Sequence, residues 1–411
     1  MSIICDESKC TGCRACVNIC KQKAILMIST ELGRKIAKID LKKCVGCNLC
    51  IRVCPQNNYK EFNTPKKCYS AWSLDPVIRT NSASGGIAAE LYNWAYAKNM
   101  WFAGVVITKE FDTKYVLTKE LNYIKKFQNS KYVVSNMGDI HSKIGSLLKA
   151  GDKVLFIGLP CQVDSLKNYC KVMKISLAGL YLVDLICHGT APQIYFKQHI
   201  EAIETKMKKK AESCCFRDPA YSTHTYTFTV KDKHRIFYSK RVESSDVYQI
   251  GFHKGIIYRD NCYQCKYAQM KRTGDLTLAD FSYVGSKAKC TYSNEKVSAI
   301  LINTDKGEKM LYELVERNAV FYEERPIEEE LEYEKMLHRP TPKPRERYIF
   351  TKVYIQTKEF ETAMNIAANK QLIKNVVIQI CHIRQLKSFF SRCLSNRIKS
   401  MLKKVCHKIY S

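Results

Sequence analysis

The sequence contains no apolar run long enough to cross a bilayer, and it is poor in acidic residues. Only 39 Asp and Glu residues stand against 67 Lys and Arg residues, so the 411-residue chain has a formal net charge of +28. The missing apolar run argues against a membrane-spanning protein. No secretory signal precedes the first cysteine motif, and we expect a cytoplasmic protein. The excess of positive charge favours acidic partners.

Signatures of nucleic-acid recognition are also missing. The sequence has no zinc-finger spacing, no RNA-recognition signature and no helix-turn-helix pattern. We therefore expect no nucleic-acid partner. The acidic partners that remain are a reduced ferredoxin or another electron-transfer protein, a phosphorylated substrate, and an anionic membrane surface.

Acidic residues stop altogether after Glu361. Beyond it, apolar residues recur at every third or fourth position from Ile373 to Ile409, which predicts a long basic amphipathic helix or a helix pair. Such a tail could lie on the inner face of a membrane, dock on a partner or pack on its own domain, and the sequence leaves these alternatives open. A Pro-rich stretch at 339–345 places the start of this predicted tail at residue 346.

Cysteine is abundant, with 21 residues. Two runs share the spacing C-x2-C-x2-C-x3-C, which is typical of bacterial ferredoxins with two 4Fe-4S clusters, where the fourth Cys ligates the other cluster. One predicted cluster takes Cys10, Cys13, Cys16 and Cys54, and the other takes Cys44, Cys47, Cys50 and Cys20. Zinc or a disulfide framework is the weaker alternative, because neither usually needs eight Cys in two identical runs. At Gly12 and Gly46 we expect either a positive φ or a close approach of the backbone to a cluster sulfur, because glycine allows both most easily.

The rest of the chain predicts a mixed α/β organisation. After the ferredoxin-like domain at 1–60, strand, loop and helix patterns alternate through 61–345, and sites in such folds collect at the carboxyl ends of strands. Residues 61–75 read as a linker because Thr64-Pro65 and Asp75-Pro76 break structure. The predicted fold class is therefore α+β or α/β, with a small two-cluster domain, a larger mixed domain and a helical tail.

Four further cysteines stand at strand ends or on a knuckle. Cys161 is expected in a tight turn before a helix that starts near Val163, Cys187 closes another strand, and Cys262 and Cys265 form a C-x2-C knuckle. Four soft ligands suffice for a third 4Fe-4S cluster, although zinc is the usual occupant of a lone C-x2-C. The spacing alone leaves both open. The roles of Cys5 and Cys68 stay undecided.

A polar turn runs directly into a predicted helix between Arg79 and Ala97. Ser and Asn are good N-caps, and the free N–H groups of such a helix start can bind an anion. The turn can therefore be a phosphate or flavin contact, or an ordinary capped helix. The spacing alone favours the ordinary helix.

Taken in order, the sequence motifs resemble the coenzyme F-420 hydrogenase/dehydrogenase beta-subunit family. They are the ferredoxin runs, Asn-Ser-Ala-Ser-Gly-Gly, Ser-Lys-Tyr-Val-Val-Ser, Gly-Leu-Pro-Cys-Gln, Asp-Leu-Ile-Cys-His-Gly, Cys-Tyr-Gln-Cys and Gly-Asp-Leu-Thr-Leu-Ala-Asp-Phe, within residues 1–345. The resemblance implies FAD in the α/β domain and a 4Fe-4S cluster beside it on Cys161, Cys187, Cys262 and Cys265. It also implies flavin contacts from Ser82, Ser84, Gly85, Gly86, Lys131, Tyr132 and Ser135.

These patterns together predict an iron–sulfur flavoprotein oxidoreductase. Clusters carry single electrons, and a flavin converts them into chemistry on a small organic substrate. Lys131 would stabilise negative charge on flavin or substrate, and His188 would supply a proton or a hydrogen bond to the cluster shell. The alternative is a non-catalytic electron-transfer subunit of a larger redox or polysaccharide-biosynthesis complex.

Overall fold

The computed structural model describes residues 3–57, 62–242, 244–291 and 296–380. The strands within these ranges are β1 (Ile25–Ser29), β2 (Lys35–Ile39), β3 (Lys67–Ser73), β4 (Trp101–Ile107), β5 (Thr113–Thr118), β6 (Val154–Gly158), β7 (Leu180–Leu185), β8 (Ser213–Cys215), β9 (Phe228–Lys231), β10 (Ile236–Lys240), β11 (Leu276–Asp280), β12 (Ser298–Ile302) and β13 (Val320–Arg325). The helices are α1 (Ala15–Ile19), α2 (Leu49–Val53), α3 (Pro76–Asn81), α4 (Ile87–Ala97), α5 (Asn122–Phe127), α6 (Ile140–Lys149), α7 (Pro160–Val172), α8 (Gln193–Met207), α9 (Val247–His253), α10 (Asp305–Glu316), α11 (Glu328–Leu331), α12 (Arg345–Thr357), α13 (Phe360–Ala367) and α14 (Asn369–Ile380). This is the predicted mixed α/β fold.

The N-terminal module has the internal repeat that the two cysteine runs predict. In each run a glycine with positive φ, Gly12 at +66° and Gly46 at +71°, is followed by a left-handed residue, Arg14 or Asn48, and a five-residue helix, α1 or α2. A side chain at the first glycine would also approach the Lys35 carbonyl oxygen to 2.9 Å. Positive φ, one of the two alternatives expected for these glycines, is thus observed at both. Strands β1 and β2 form an antiparallel hairpin beside the helices.

The largest sheet is built around four parallel strands. Its order is β13-β3-β12-β11-β7-β6-β4-β5, and β4, β6, β7 and β11 run parallel, whereas their neighbours at both edges are antiparallel. In the register of β6 and β7, Gly158 stands beside Asp184. The carboxyl ends of these two strands therefore open at the same edge of the sheet, as the α/β pattern predicts.

Helices cover both faces of this sheet. On one face, Trp94 of α4 and Leu311 of α10 pack in one core with Phe102 and Ile300 of the strands. On the other face, α6 and α7 pack on the sheet, and the N-terminal module packs on them: Val53 shares a core with strand and α7 residues. The cluster module is therefore built onto the α/β domain rather than held at the end of a linker.

Hydrogen bonds fix the module in place. Asn168 of α7 donates to the Val53 carbonyl at 2.7 Å, Asn18 donates to the Gly138 carbonyl at 2.9 Å, and Tyr195 of α8 donates to the Leu32 carbonyl at 2.8 Å. These bonds join the module to different elements of the larger domain. The orientation of the module is thus set from several sides.

The predicted linker at 61–75 is wrong, because Lys67–Ser73 is strand β3. It lies between β12 and β13 with antiparallel pairing to both. Cys68 and Ala71 within it are fully buried. A strand buried on both faces does not alternate apolar and polar residues, so its small polar residues resembled a loop.

Two other predicted boundaries differ from the structure. Helix α7 begins at Pro160, where proline suits a first helical position, so Cys161 lies in its first turn rather than in a turn before the helix. No break in packing occurs at residue 346, because Phe350 of α12 and Phe360 and Met364 of α13 are buried in one core with α8 and α9. The predicted tail beyond residue 380 lies outside the described residues. In the part of the chain that the structure describes, no helix is long and apolar enough to span a bilayer.

Asp184, near the end of β7, is the most extensively hydrogen-bonded carboxylate at the sheet edge. Its Oδ1 accepts from Arg272 Nη2 at 2.9 Å and Thr277 Oγ1 at 2.7 Å, and its Oδ2 accepts from the N–H groups of Thr273 and Gly274 at 2.8 Å. Burial alone would raise the pKa of Asp184, but the Arg272 guanidinium and these hydrogen bonds outweigh it and the pKa is lowered. The pair ties the segment before β11 to β7.

We expect Asp184→Asn to lower the free energy of unfolding by about 3–5 kcal/mol, because it leaves the Arg272 charge buried without a counter-charge. Anaerobic urea unfolding would measure the loss. The matched control is Asp305→Asn, which breaks the exposed 2.6 Å pair with Lys66 and should leave the unfolding midpoint nearly unchanged. An equal effect of the two variants would contradict the prediction.

A buried histidine joins helices α8, α9 and α13. His199 of α8 contacts Asp246 Oδ2 at 3.0 Å and Glu361 Oε1 at 2.6 Å, and Tyr238 donates to the same Asp246 oxygen at 2.8 Å. Burial alone would lower the pKa of His199, but the Asp246 and Glu361 carboxylates raise it to about 10. The imidazolium therefore clamps α13 onto α8.

Because the folded pKa lies above the unfolded value of about 6.5, this stabilisation is complete below pH 6.5 and is lost as the pH rises towards 10. His199→Gln should cost about 3 kcal/mol at pH 6, and the difference from wild type should shrink steadily up to pH 10. Urea unfolding across this pH range measures it. His234→Gln, at an exposed histidine, should follow the wild type throughout. A difference independent of pH would refute the clamp.

Candidate metal centres

Three cysteines of the first run and the last cysteine of the second run face one cavity. Its walls include Cys10, Cys13, Cys16 and Cys54. The fourth position of the second run thus joins the first three positions of the other run. This is the crossing that the ferredoxin spacing predicts. The donor set and its glycine-lined loop fit a 4Fe-4S cluster.

The complementary group lies nearer to the surface. Cys50 is close to Cys20 and Cys44, whose charges add to burial in raising the pKa of the Cys50 thiol. The Ala24 N–H donates to Cys20 Sγ at 3.4 Å, the kind of contact that stabilises a ligating sulfur. Cys47 is exposed. The second group therefore has one exposed cysteine, and its other three are half-buried.

Cys5 is a cysteine beside the first group that the motif spacing did not reveal. It lines the same cavity and hydrogen-bonds to the sulfurs of Cys10 and Cys54. The hydrogen bond with Cys5 lowers the pKa of Cys10 to about 6. A thiol five residues before the first ligand has no recognisable spacing, so the sequence offered no signal for it.

The four cysteines of the second set converge on a separate cavity of about 220 Å³. Cys161 comes from the first turn of α7, Cys187 from the loop after β7, and Cys262 and Cys265 from the segment before β11. Their convergence agrees with the predicted third site. The assignment of all twelve cysteines as ligands stays a prediction.

Burial is the main electrostatic influence on this group. It raises the pKa of Cys187 to about 12 and that of Cys265 to about 11, and it raises the pKa of Cys161 well above its usual value. The nearby Arg259 guanidinium acts in the opposite direction on all three. Binding of a positively charged iron–sulfur core would release the thiol protons, as metal binding to cysteine does.

Within the described part of the chain, no group of three or more His, Cys, Asp or Glu side chains is close enough together to hold a metal ion. Four thiolates at about 2.3 Å from one zinc ion stand about 3.8 Å apart. A cubane holds its four thiolates much farther apart, because each binds a different iron. The cavity of about 220 Å³ between the four cysteines has room for a 4Fe-4S cluster.

His188, one of the two predicted catalytic residues, lies at the mouth of this cavity. Its side chain is exposed, and its carbonyl accepts a hydrogen bond from Thr341 at 2.8 Å. It directly follows Cys187. Its predicted role in proton supply stays a prediction.

Lys131, the other predicted catalytic residue, has a structural task. Its ammonium donates to the carbonyls of Phe127 at 2.8 Å and Gln128 at 2.6 Å, and more weakly to those of Lys126 and Asn129. It thereby caps the C-terminal end of α5, where cations are favoured. Burial lowers its pKa to about 7. A flavin or substrate anion would have to compete with these carbonyls for it.

The residues expected to contact flavin lie on two neighbouring segments. Gln128 donates to Ser82 Oγ at 3.4 Å and so joins the loop at 82–86 to the segment at 128–135. Ser82 and Ser84 donate their hydroxyls to backbone carbonyls at 2.8 and 2.7 Å. Gly85 has no room for a side chain, since a Cβ would meet the Ala71 carbonyl oxygen at 2.3 Å. An ordinary capped helix, the alternative to a flavin contact, accounts for these contacts.

The remaining three expected flavin contacts also have partners within the protein. Gly86 is the left-handed N-cap of α4, and Tyr132 stacks on Phe252 with ring centres 4.4 Å apart. The Ser135 carbonyl accepts from Gln162 at 3.5 Å. Their contact with FAD stays a prediction.

A cluster of cations that the motifs did not reveal lies beside these segments. Arg217 contacts Asp280 Oδ2 at 2.6 Å and stands 4.2 Å over the ring of Tyr226. Lys296 donates to the carbonyls of residues 79, 80 and 82, and the neighbouring guanidiniums help burial to lower its pKa to about 8. Positive charge therefore exceeds negative charge here, which suits an anion.

Comparison with known proteins agrees with this description. The family model for a 4Fe-4S dicluster domain matches residues 9–58, and the model for the C terminus of the coenzyme F420 hydrogenase/dehydrogenase beta subunit matches residues 151–329. No curated protein matches the chain. Among solved structures, a chain of the F420-reducing [NiFe] hydrogenase complex from Methanosarcina barkeri, determined as a xenon derivative, is similar at 17% identity.

That alignment covers 77% of this chain and 93% of the other, with a TM-score of 0.41, and nothing about function follows from a likeness of this size. The two family matches confirm the resemblance seen in the motifs. The chain is thus an iron–sulfur protein of the oxidoreductase type that matches a 4Fe-4S dicluster domain near its N-terminus and is related to the coenzyme F420 hydrogenase/dehydrogenase beta subunit over residues 151–329.

Proposed function

We propose that the chain is an iron–sulfur flavoprotein oxidoreductase that moves electrons between its N-terminal clusters and a small organic substrate through a third cluster and FAD. One observation carries this proposal. The cavity of Cys10 and the cavity of Cys161 share two wall residues, Thr11 and Gln56. The two sites are therefore neighbours with a shared wall, an arrangement that suits the passage of single electrons between them.

The internal cavity supports a cluster through its charge as well as its cysteines. Its lining contains the buried guanidinium of Arg259, which has no carboxylate partner among the described residues. A buried cation without a counter-charge is costly, so a negatively charged group in the cavity would stabilise it. A 4Fe-4S cluster with four thiolates is such a group.

FAD is proposed for the region of Arg217, Lys296 and Tyr132. The net positive charge there suits a diphosphate, and the resemblance implies flavin contacts on the adjoining loop at 82–86. When bound, FAD would exchange electrons singly with a cluster and in pairs with a substrate. The tyrosine ring and the guanidinium would then position it.

Electrons would enter or leave at the second cysteine group. Around exposed Cys47, the side chains of Leu41 and Val45 are exposed, and so are Lys42 and Lys43. An apolar patch bordered by lysines fits a small acidic electron-transfer protein, and we propose a ferredoxin. The patch lies at the exposed end of the pair of cluster sites.

A second candidate function is a non-catalytic electron-transfer subunit. The matching family is described as a beta subunit, which favours a role beside a separate catalytic chain. The two functions differ in one measurement. The purified chain alone would turn over an organic substrate in the first case, and would react only with dyes or a redox partner in the second.

Anaerobically purified protein should contain about twelve iron and twelve sulfide per chain, and one FAD, because three 4Fe-4S clusters are proposed. Cys265→Ala should reduce iron to about eight per chain, because it removes one ligand of the internal site only. Cys290→Ala is the matched control and should keep about twelve. Wild-type protein with about eight iron would refute the internal cluster, and protein without flavin would refute the flavoprotein assignment.

Reversing two charges on the lysine-bordered patch should slow electron exchange with an acidic ferredoxin. At low ionic strength, Lys42→Glu/Lys43→Glu should lower the second-order rate constant at least about tenfold, because it removes electrostatic steering, and added salt should narrow the gap. Stopped-flow mixing with dithionite-reduced ferredoxin measures this. The control Lys206→Glu/Lys208→Glu places the same charge change at the far end of α8 and should have little effect. Equal slowing by both pairs would show that net charge, not this patch, matters.

A further inference from the structure

Arg259 lies between the two cysteine cavities and touches both. Its Nη1 donates to the Thr11 carbonyl at 2.6 Å, one residue after Cys10, and its Nε donates to Thr190 Oγ1 at 2.8 Å. Thr190 Oγ1 in turn lies 3.8 Å from Cys262 Sγ. The side chain is 4% exposed and lines the internal cavity. One guanidinium thus connects the first cluster loop with the shell of the internal site.

Arg259 differs from most of the buried arginines because its charge has no carboxylate beside it in the described part of the chain. Arg217, Arg272, Arg325 and Arg347 each have a carboxylate oxygen within 3.3 Å. Within the described ranges, the two buried arginines without such a partner are Arg34 and Arg259. Both lie beside cysteines.

Arg34 provides a comparison because, among the described residues, it is also buried without a carboxylate, but its side-chain hydrogen bonds reach the first cluster loop only. It is 6% exposed, and its Nη1 donates to the carbonyls of Ser8 at 3.2 Å and Cys10 at 3.5 Å. It therefore faces the first cluster loop, and it does not line the internal cavity. Each of the two arginines would have an anionic cluster as its counter-charge.

A cation beside a cluster changes the energy of reduction. A cluster with four thiolates is negatively charged, and reduction adds one more negative charge. In a desolvated site a nearby guanidinium stabilises the reduced state more than the oxidised state, which raises the reduction potential. The effect needs no contact with iron, only a fixed charge at short range.

We propose that Arg259 is a positioning residue that couples the two cluster sites: it supplies the counter-charge of the internal cluster, raises that cluster's reduction potential, and holds the Thr11 loop against it. This inference rests on the internal cluster of the proposed function. It makes the internal site the favoured electron acceptor from the N-terminal clusters. The hydrogen bond to Thr11 keeps the two sites at a fixed separation.

The test is a redox titration of the intact protein, followed by electron paramagnetic resonance, for wild type, Arg259→Gln, Arg259→Lys and Arg34→Gln. The signal of the internal cluster is the one that Cys265→Ala lacks. We expect Arg259→Gln to lower the midpoint potential of that signal more than those of the N-terminal clusters. Arg34→Gln should lower an N-terminal potential and leave the internal signal in place.

Arg259→Lys separates the charge from the hydrogen-bonding geometry. It keeps the cation but cannot reach Thr11 and Thr190 with the same planar fork. We expect the reduction potential of the internal cluster in this variant to stay close to that of wild type. The magnetic coupling between the internal cluster and the cluster at Cys10 should weaken. Retained coupling in this variant would refute the positioning role.

The remaining outcomes are also decisive. If Arg259→Gln keeps about twelve iron and an unchanged internal potential, the inference is wrong. If Arg259→Lys shows the same lowered potential as Arg259→Gln, charge is not the cause and the inference is again wrong. If Arg259→Gln loses iron whereas Arg259→Lys retains it at near wild-type potential, the counter-charge role is supported. Wild-type protein with only about eight iron would instead overturn the internal cluster of the proposed function, a separate result.

Discussion

The buried carboxylate of Asp184 imposes the constraint on which the internal site depends. A charge in that position must be neutralised, and the groups that neutralise it lie on the segment that follows Cys265. Asp184 pairs in the sheet with Gly158, which precedes Cys161 by three residues. Asp184 itself precedes Cys187 by three residues. Thr273, which donates to Asp184 at 2.8 Å, also lies 3.4 Å from the Pro160 carbonyl. One ion pair therefore sets the relative positions of all three cysteine-bearing segments.

The N-terminal module depends on the same edge of the domain. It shares a core with α6 and α7, and hydrogen bonds reach it from α7, from α8 and from Arg259. A ferredoxin on a flexible linker would exchange electrons only when it happened to approach. Here β3 follows the module almost directly and enters the sheet, so the geometry between the cluster sites is fixed by folding.

Local spacing explains which features could be predicted from the sequence. The cysteine runs, the positive φ of Gly12 and Gly46, and the loop after β7 depend on neighbouring residues, and the structure agrees with these expectations. The tight turn expected after β6 was wrong, because helix α7 already begins at Pro160. Strand β3 was missed because burial on both faces removes alternation. Arg259 was missed because its partners, Thr11 and Thr190, lie 248 and 69 residues away. An aspartate within the apolar run of β7 was the available signal for a buried ion pair. Nothing in the sequence around Arg272 identifies it as the partner.

The distribution of charge gives the chain two distinct uses for its many cations. Exposed lysines around Cys47 act at long range and in a salt-dependent way, so under the proposed function they would select which partner approaches. Buried guanidiniums without carboxylates act at short range and are hardly screened, so beside a cluster they would set how strongly an electron is held. Arg34 and Arg259 stand beside successive cysteine groups, which places fixed positive charge along the line from the surface to the internal cavity. Under the proposed function, such a path would attract an acidic redox partner outside and would favour an electron's movement inward.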